Sequence, residues 1–247
     1  MKCLARVVLL VLCLLGSARA AEIRVAVAAN FTAPMKKIAD AFGAATGHKA
    51  LLSFGATGDL YAQIKSGALY DMLLAADEKT PLRLEHEGLA VPGTRFTYAM
   101  GRLVLWSAIP GLVDDEGRVL RNSSDLIGVA NPDVAPYGAA AVDAMSRLGL
   151  LNALRPRFVQ GADIAQIYQL VAAGNVPLGF VALSQVMQEG RITNGSAWIV
   201  PYQFHAQIRQ DAVVLATGKD NEAAAALVKF LKRGRAHALI SAYGYRY

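Results

Sequence analysis

The sequence predicts an α/β fold in two lobes, on three observations. Apolar residues switch between the short runs of strands and the 3.6-residue spacing of helices, in the order β-α-β-α-β. The same alternation restarts in the second half of the 247-residue chain. No Pro/Ser-rich linker, low-complexity tract or clear sequence repeat separates the halves, so strands that cross between two lobes are expected to join them.

The elements follow in order. Residues 23–29 read as a strand, and Met35, Ile38, Ala39 and Phe42 then recur at the spacing of one helix face, with Gly47 closing the unit. Residues 49–54 form a second strand, Gly55 and Gly58 precede a short helix carrying Leu60 and Ile64, and residues 71–76 form a third strand. That order predicts a parallel sheet flanked by helices. Further on, residues 102–107 read as a strand, and a short one ends at Val129-Ala130-Asn131-Pro132. A helix over about 137–148 has Ala141, Met145 and Leu148 on one side, and Ile164, Ile167, Tyr168 and Val171 mark the apolar face of another. Strands follow at 176–183, more weakly at 197–201, and at 210–216, before a helix on Ala224, Leu227, Val228 and Leu231. Residues 21–100 with 205–247 make one expected lobe, and residues 101–204 the other.

The first twenty residues stand apart. Met1-Lys2 and Arg6 precede an apolar run over residues 7–15, and small residues at Ala18 and Ala20 close the segment. This is the pattern of a secretory signal peptide cleaved after Ala20, with export to the periplasm expected. The run is shorter than the ~20 residues a bilayer span needs, and Cys13, followed by Leu14 and Leu15, lies too deep in it for a lipid anchor. Removing the segment takes away Cys3 and Cys13, the only cysteines, and with them any disulfide, thiolate nucleophile or cysteine metal ligand. It also removes three bases and no acid, so the formal net charge falls from +6 to +3. That is too little to argue for nucleic acid as a partner.

The residues with chemistry to offer sit where strands hand over to helices. Asn30 with Phe31-Thr32 follows the first strand, and Phe54-Gly55-Ala56-Thr57-Gly58-Asp59 follows the second. Asn131-Pro132-Asp133-Val134-Ala135-Pro136-Tyr137-Gly138 and Gly161-Ala162-Asp163-Ile164 do the same in the second half. A helix start offers free N–H groups and about half a positive charge, so it can hold an anion without a basic side chain. Asn30 and Thr57 add side-chain donors, while Ala28, Ala29, Gly55, Ala56 and Gly58 leave room for close approach. Each loop taken alone is also an ordinary helix cap; four of the same kind favour an oxyanion site beyond the C-terminal ends of the strands.

Enzyme chemistry finds little support. None of His48, His86, His205 and His237 pairs with another at i+3 or i+4, which excludes a zinc helix. There is no G-x-S-x-G elbow, Walker loop or G-x-G-x-x-G, and Gly55-Ala56-Thr57-Gly58 lacks the lysine of a P-loop. Asp71 and Asp77 read as strand-end or capping residues, His86 and His237 as solvated surface, and Lys232-Arg233-Gly234-Arg235 as a solvated helix end.

Taken together, several segments resemble the periplasmic molybdate-binding proteins of ABC transporters. They are Val27-Ala28-Ala29-Asn30-Phe31-Thr32, Ser53-Phe54-Gly55-Ala56-Thr57-Gly58, Asp71-Met72-Leu73-Leu74-Ala75-Ala76-Asp77, Val129-Ala130-Asn131-Pro132 with Ala135-Pro136-Tyr137-Gly138, and Val176-Pro177-Leu178-Gly179-Phe180-Val181. The likeness spans nearly all of residues 21–247. It implies a class II periplasmic-binding-protein fold with a hinged cleft and a monomer that docks on an inner-membrane ABC permease. It also implies molybdate, with tungstate, as ligand, and no cofactor. Carried over, the oxyanion ligands are Asn30, Thr57, Tyr137 and the backbone N–H of Ile164; molybdenum would be held only as the oxyanion, through these residues. Members often have serine at the positions of Asn30 and Thr57, and many place a tyrosine where this chain has Ala182. Tyr137 is therefore expected to supply the hydroxyl that position 182 lacks. The competing expectations are a binding protein for sulfate or phosphate and an extracellular enzyme on the same fold.

Overall fold

The computed structural model describes residues 20–247; the expected signal segment, apart from Ala20, lies outside the described residues. Two five-stranded sheets organise the chain. The first contains β1 (Glu22–Ala28), β2 (Lys49–Gly55), β3 (Met72–Leu74) and β4 (Phe96–Gly101). The second contains β5 (Leu103–Ser107), β6 (Ile127–Ala130), β7 (Phe158–Gly161) and β8 (Leu178–Ala182). After a small hairpin of β9 (Met187–Gln188) and β10 (Arg191–Ile192), β11 (Ser196–Ile199) completes the second sheet, and β12 (Ile208–Val214) returns to the first.

The sheets share one topology. Their orders are β2-β1-β3-β12-β4 and β7-β6-β8-β5-β11. In each, the first three strands run parallel, and the fourth position is filled by a strand arriving from the other sheet, antiparallel to its neighbours. The sheets are thus mixed, where the β-α-β order predicts parallel ones. The reason is the crossing: β5 and β12 enter directly from the other lobe and meet the local strands head to tail. The chain crosses once at Arg102 and again over residues 200–207.

Helices cover the sheets as the apolar spacing predicts. The long ones are α1 (Thr32–Thr46), α2 (Thr57–Lys65), α3 (Lys79–His86), α4 (Pro136–Arg147), α5 (Ile164–Ala172), α6 (Glu222–Leu231) and α7 (Gly234–Ala242). A 3₁₀ turn, Ala29–Phe31, runs straight into α1, so that this helix effectively starts at the end of β1. Gly47 ends α1 in the left-handed region at φ 76°, where an L side chain would be strained. Alternation along β1 supplies two cores: Ile23, Val25 and Val27 pack with Phe31, Met35, Ile38 and Phe42, while Ala26 faces Leu60, Leu73 and Val213. The second lobe has a core of its own around Leu103, Leu105, Ile127, Met145, Ile167 and Phe180.

Candidate functional site

The four strand-to-helix loops singled out in the sequence occupy equivalent places. Asn30 follows β1 and Thr57 follows β2; Tyr137 follows β6 and Ile164 follows β7. These are the C-terminal ends of β1 and β2 in one lobe and of β6 and β7 in the other, beside the point where strand order reverses, where open α/β sheets bind ligands. All four residues line a single chamber, with Ala28, Ala29, Gly55, Ala56, Ala76, Ala135, Pro136 and Asp163. Its cavity volume is about 10 Å³, room for about one water-sized sphere.

Each donor is held in place by a different device. The Thr57 hydroxyl accepts the Ala76 N–H at 2.9 Å, which leaves its own hydrogen for the chamber. Asp163 caps α5, taking the N–H groups of Ala165 at 2.8 Å and Gln166 at 2.9 Å. The cap passes over Ile164 N–H, which is left at the chamber wall. Gln185 steadies that residue by donating to Ile164 O at 3.0 Å while accepting from Ala182 N–H at 2.9 Å. The Tyr137 hydroxyl accepts from Gln210 Nε2 at 3.1 Å. Burial holds the phenols of Tyr98 and Tyr137 well above their ordinary pKa and pushes that of Tyr245 up to about 12. At neutral pH these hydroxyls therefore keep their hydrogens.

Asn30 is buried and its amide is committed elsewhere. Nδ2 donates to Gln210 Oε1 at 2.9 Å and to the Tyr245 hydroxyl at 2.8 Å. What Asn30 brings to the chamber as a donor is its backbone N–H, in the first turn of a helix where no intrahelical acceptor exists. Tyr98, Ser184, Gln210 and Tyr245, none evident as site residues in the sequence, complete this buried network. Ser184 Oγ donates to Asn30 O at 2.8 Å and lies 2.9 Å from the Tyr245 hydroxyl, tying the lobes together behind the chamber.

No Lys or Arg lines the chamber, and its one ionisable carboxylate, Asp163, is occupied in capping. Its electrostatics come from helix starts and neutral hydroxyls, a setting for an anion. A larger cleft of about 580 Å³ opens next to it and shares Ala76, Ala135 and Pro136. That cleft carries four acids, Asp77, Glu78, Asp133 and Asp143, against two bases, Lys79 and Arg209, a balance that does not favour an anion, so size alone does not mark the binding site. The lobes meet at the chamber's edge, where Gly58 N–H donates to Val134 O at 2.8 Å; the molecule is closed.

The other polar residues have local roles. Asp71 accepts the Arg24 N–H at 2.7 Å and Asp77 caps α3 through the Thr80 N–H at 2.7 Å. His86 is exposed, while His237 is half-buried with its ring 4.2 Å from that of Tyr247, a neighbour the sequence did not suggest. Among the described residues, no cluster of three His, Cys, Asp or Glu could hold a metal ion, and no helix is long and apolar enough to cross a membrane.

The family model for bacterial extracellular solute-binding proteins matches residues 23–246. The chain belongs to that family. Among curated relatives of this solute-binding protein, the molybdate-binding protein ModA of Azotobacter vinelandii is 57% identical over 230 residues, 93% of this chain and 91% of that one. The molybdate-binding protein ModA of Rhodobacter capsulatus is 48% identical over 92% of this chain and 89% of its own. Among solved structures, a periplasmic molybdate-binding protein of Azotobacter vinelandii superposes with a TM-score of 0.89 at 40% identity, covering 91% of this chain and 99% of that one. These relatives are named for binding, not for catalysis.

The start of α4 offers a test of how the solute-binding site is held. A Cβ on Gly138 would overlap the Ala130 carbonyl oxygen and come within 2.8 Å of its carbon. Alanine normally stabilises a helix interior by ~1 kcal/mol over glycine; here Gly138→Ala is expected to destabilise by about 1–3 kcal/mol through overpacking. Denaturant unfolding checks this, and a stabilised variant contradicts the close approach.

Proposed function

We propose that this protein captures molybdate in the closed chamber and delivers it to an ABC transporter permease in the inner membrane. The observation that carries the reading is the convergence of four helix starts, two from each lobe, on one small chamber without basic side chains. The molybdate-binding relatives, alike over nearly the whole chain, supply the identity of the anion. In this reading the donor shell is the Thr57 and Tyr137 hydroxyls, the Ile164 N–H and the Asn30 N–H. The anion meets one lobe first; closure about the crossings then completes the shell and excludes water, with residues 21–100 and 205–247 moving against 101–204. Each hydrogen bond to a charged group contributes about 1.5–3 kcal/mol. A protonated anion is rejected because its hydrogen would face a donor, and sulfate is rejected by size. Tungstate, close to molybdate in size and charge, is expected to bind as well. The protein acts as a periplasmic monomer, exported by a signal cleaved after Ala20, and needs no cofactor. The chamber holds no nucleophile paired with a base, so an enzyme on this fold is disfavoured; sulfate or phosphate remains the competing cargo.

Protein recovered from the periplasm of cells supplied with molybdate should carry molybdenum in stoichiometric amount by elemental analysis. Molybdenum no higher than in an unrelated exported protein would count against the reading. Tyr137→Phe should weaken molybdate binding by about 10- to 150-fold; unchanged affinity would remove Tyr137 from the shell and leave it a wall residue.

A further inference from the structure

Gln210 is fully buried on β12, the strand that returns from the second crossing. Its side chain sits between the two lobes' donors. Oε1 accepts from Asn30 Nδ2 at 2.9 Å and lies 3.0 Å from the Tyr98 hydroxyl, whose single hydrogen is shared with the Ala75 carbonyl at 2.9 Å, while Nε2 donates to the Tyr137 hydroxyl at 3.1 Å. The Asn30 donor sets that end of the Gln210 amide as oxygen. The nitrogen is thereby turned to Tyr137. A hydroxyl that accepts from Gln210 has its single hydrogen left over. The Tyr245 hydroxyl accepts from Asn30 Nδ2 at 2.8 Å and donates towards Ser184 at 2.9 Å, and its second lone pair faces the Tyr137 hydroxyl. The Tyr137 hydrogen has two places to go, the Tyr245 oxygen and the chamber that Tyr137 lines, and an oxyanion bound in the chamber is the stronger acceptor. Gly101 makes the arrangement possible: a Cβ there would overlap both the Tyr137 hydroxyl and the Gln210 amide nitrogen.

We propose that Gln210 is a positioning residue that sets the direction of the Tyr137 hydroxyl hydrogen and so makes Tyr137 a donor to the bound oxyanion. The inference rests on the molybdate reading and adds to it a residue that does not touch the ligand. An acceptor at position 210 would draw the hydrogen back and leave a lone pair facing the anion. Neutral, dipole-selected donors of this kind are costly to reverse, because a buried anion short of a hydrogen bond loses the whole interaction.

The test compares Gln210→Glu with Gln210→Met by calorimetric titration with sodium molybdate, after circular dichroism and melting show both variants folded. Glutamate at 210 should accept from Asn30 on one oxygen and capture the Tyr137 hydrogen on the other. At about pH 8 affinity should fall by at least about 10- to 150-fold relative to wild type. Burial raises such a carboxyl into the neutral range. On lowering the pH to about 5.5 the oxygen facing Tyr137 becomes a donor again, and affinity should recover by tenfold or more. The groups facing position 210 are the phenols of Tyr98 on β4, Tyr137 on α4 and Tyr245 after α7, all held protonated across this window by burial. Asp211, next in the strand, is engaged with Arg95 and Thr97. Methionine removes the amide without reversing it and should cost less than the glutamate, with no recovery at low pH. Equal losses in both variants, or a flat pH profile for Gln210→Glu, would overturn the proposal. Should Gln210→Glu fail to fold, the effect of Tyr137→Phe is measured with and without Gln210→Met. A smaller effect in the methionine background supports the coupling, and equal effects overturn it. Wild-type protein that ignores molybdate would sink the functional reading itself, a result distinct from all of these.

Discussion

Gly58→Ala is expected to separate folding from binding. Gly58 lies in the first turn of α2, and a Cβ there would stand 2.8 Å from Val134 Cα and 2.9 Å from Val134 Cβ in the opposite lobe. With the lobes drawn apart Val134 would no longer oppose the methyl group, and alanine in place of glycine should then stabilise the helix by up to ~1 kcal/mol. In the closed protein the methyl group holds the lobes apart and disrupts the Gly58–Val134 hydrogen bond. The Tyr137 and Ile164 donors then cannot reach an anion seated on Asn30 and Thr57. Two hydrogen bonds to charge at about 1.5–3 kcal/mol each correspond to a loss of about 10²- to 10⁴-fold in affinity. Calorimetric titration and thermal unfolding of the ligand-free protein check the two halves. Retention of wild-type affinity would mean that closure does not bring these surfaces together.

Thr57→Val should fail on both counts. The substitution keeps shape but removes one oxygen with two roles: it accepts the buried Ala76 N–H and presents a hydrogen to the chamber. Leaving the Ala76 N–H unpaired should cost about 1–3 kcal/mol of stability, and losing the donor should weaken molybdate binding by about 10- to 150-fold. Thr57→Ser keeps both bonds and should stay within a few-fold of wild type. If valine were tolerated and serine were not, the methyl group of Thr57 and not its hydroxyl would be what the site uses.

Much of the site is legible in the amino-acid sequence. The strand-to-helix loops at Asn30, Thr57, Tyr137 and Ile164 stand out because small and polar residues interrupt apolar runs where the period changes from strand to helix. Their convergence is not legible there. It follows from two sheets that repeat one strand order, β2-β1-β3 and β7-β6-β8, with no repeat in the residues themselves. The antiparallel entry of β5 and β12 is equally hidden, since local spacing says nothing of direction. The strand at Phe96–Gly101 and the helix at Lys79–His86 escape the pattern because polar residues break their apolar spacing.

The polar network behind the chamber escapes for a different reason. Gln210 and Tyr245 lie 180 and 215 residues from Asn30 in sequence and meet it only after both crossings are made. The one available signal is Gln210-Asp211 leading into the apolar run over residues 212–215, a polar pair that needs partners if buried. Reading Asn30 as a side-chain donor overlooks this, because its amide is what satisfies Gln210 and Tyr245.

The central claim is that neutral donors from both lobes form a shell that takes molybdate in preference to sulfate. Calorimetric titration of the wild-type protein with molybdate and, separately, with sulfate tests it most directly. Saturable binding of one molybdate per chain, with sulfate at least a hundredfold weaker, is the predicted result. Sulfate bound as tightly as molybdate, or no saturable binding of molybdate, would contradict it.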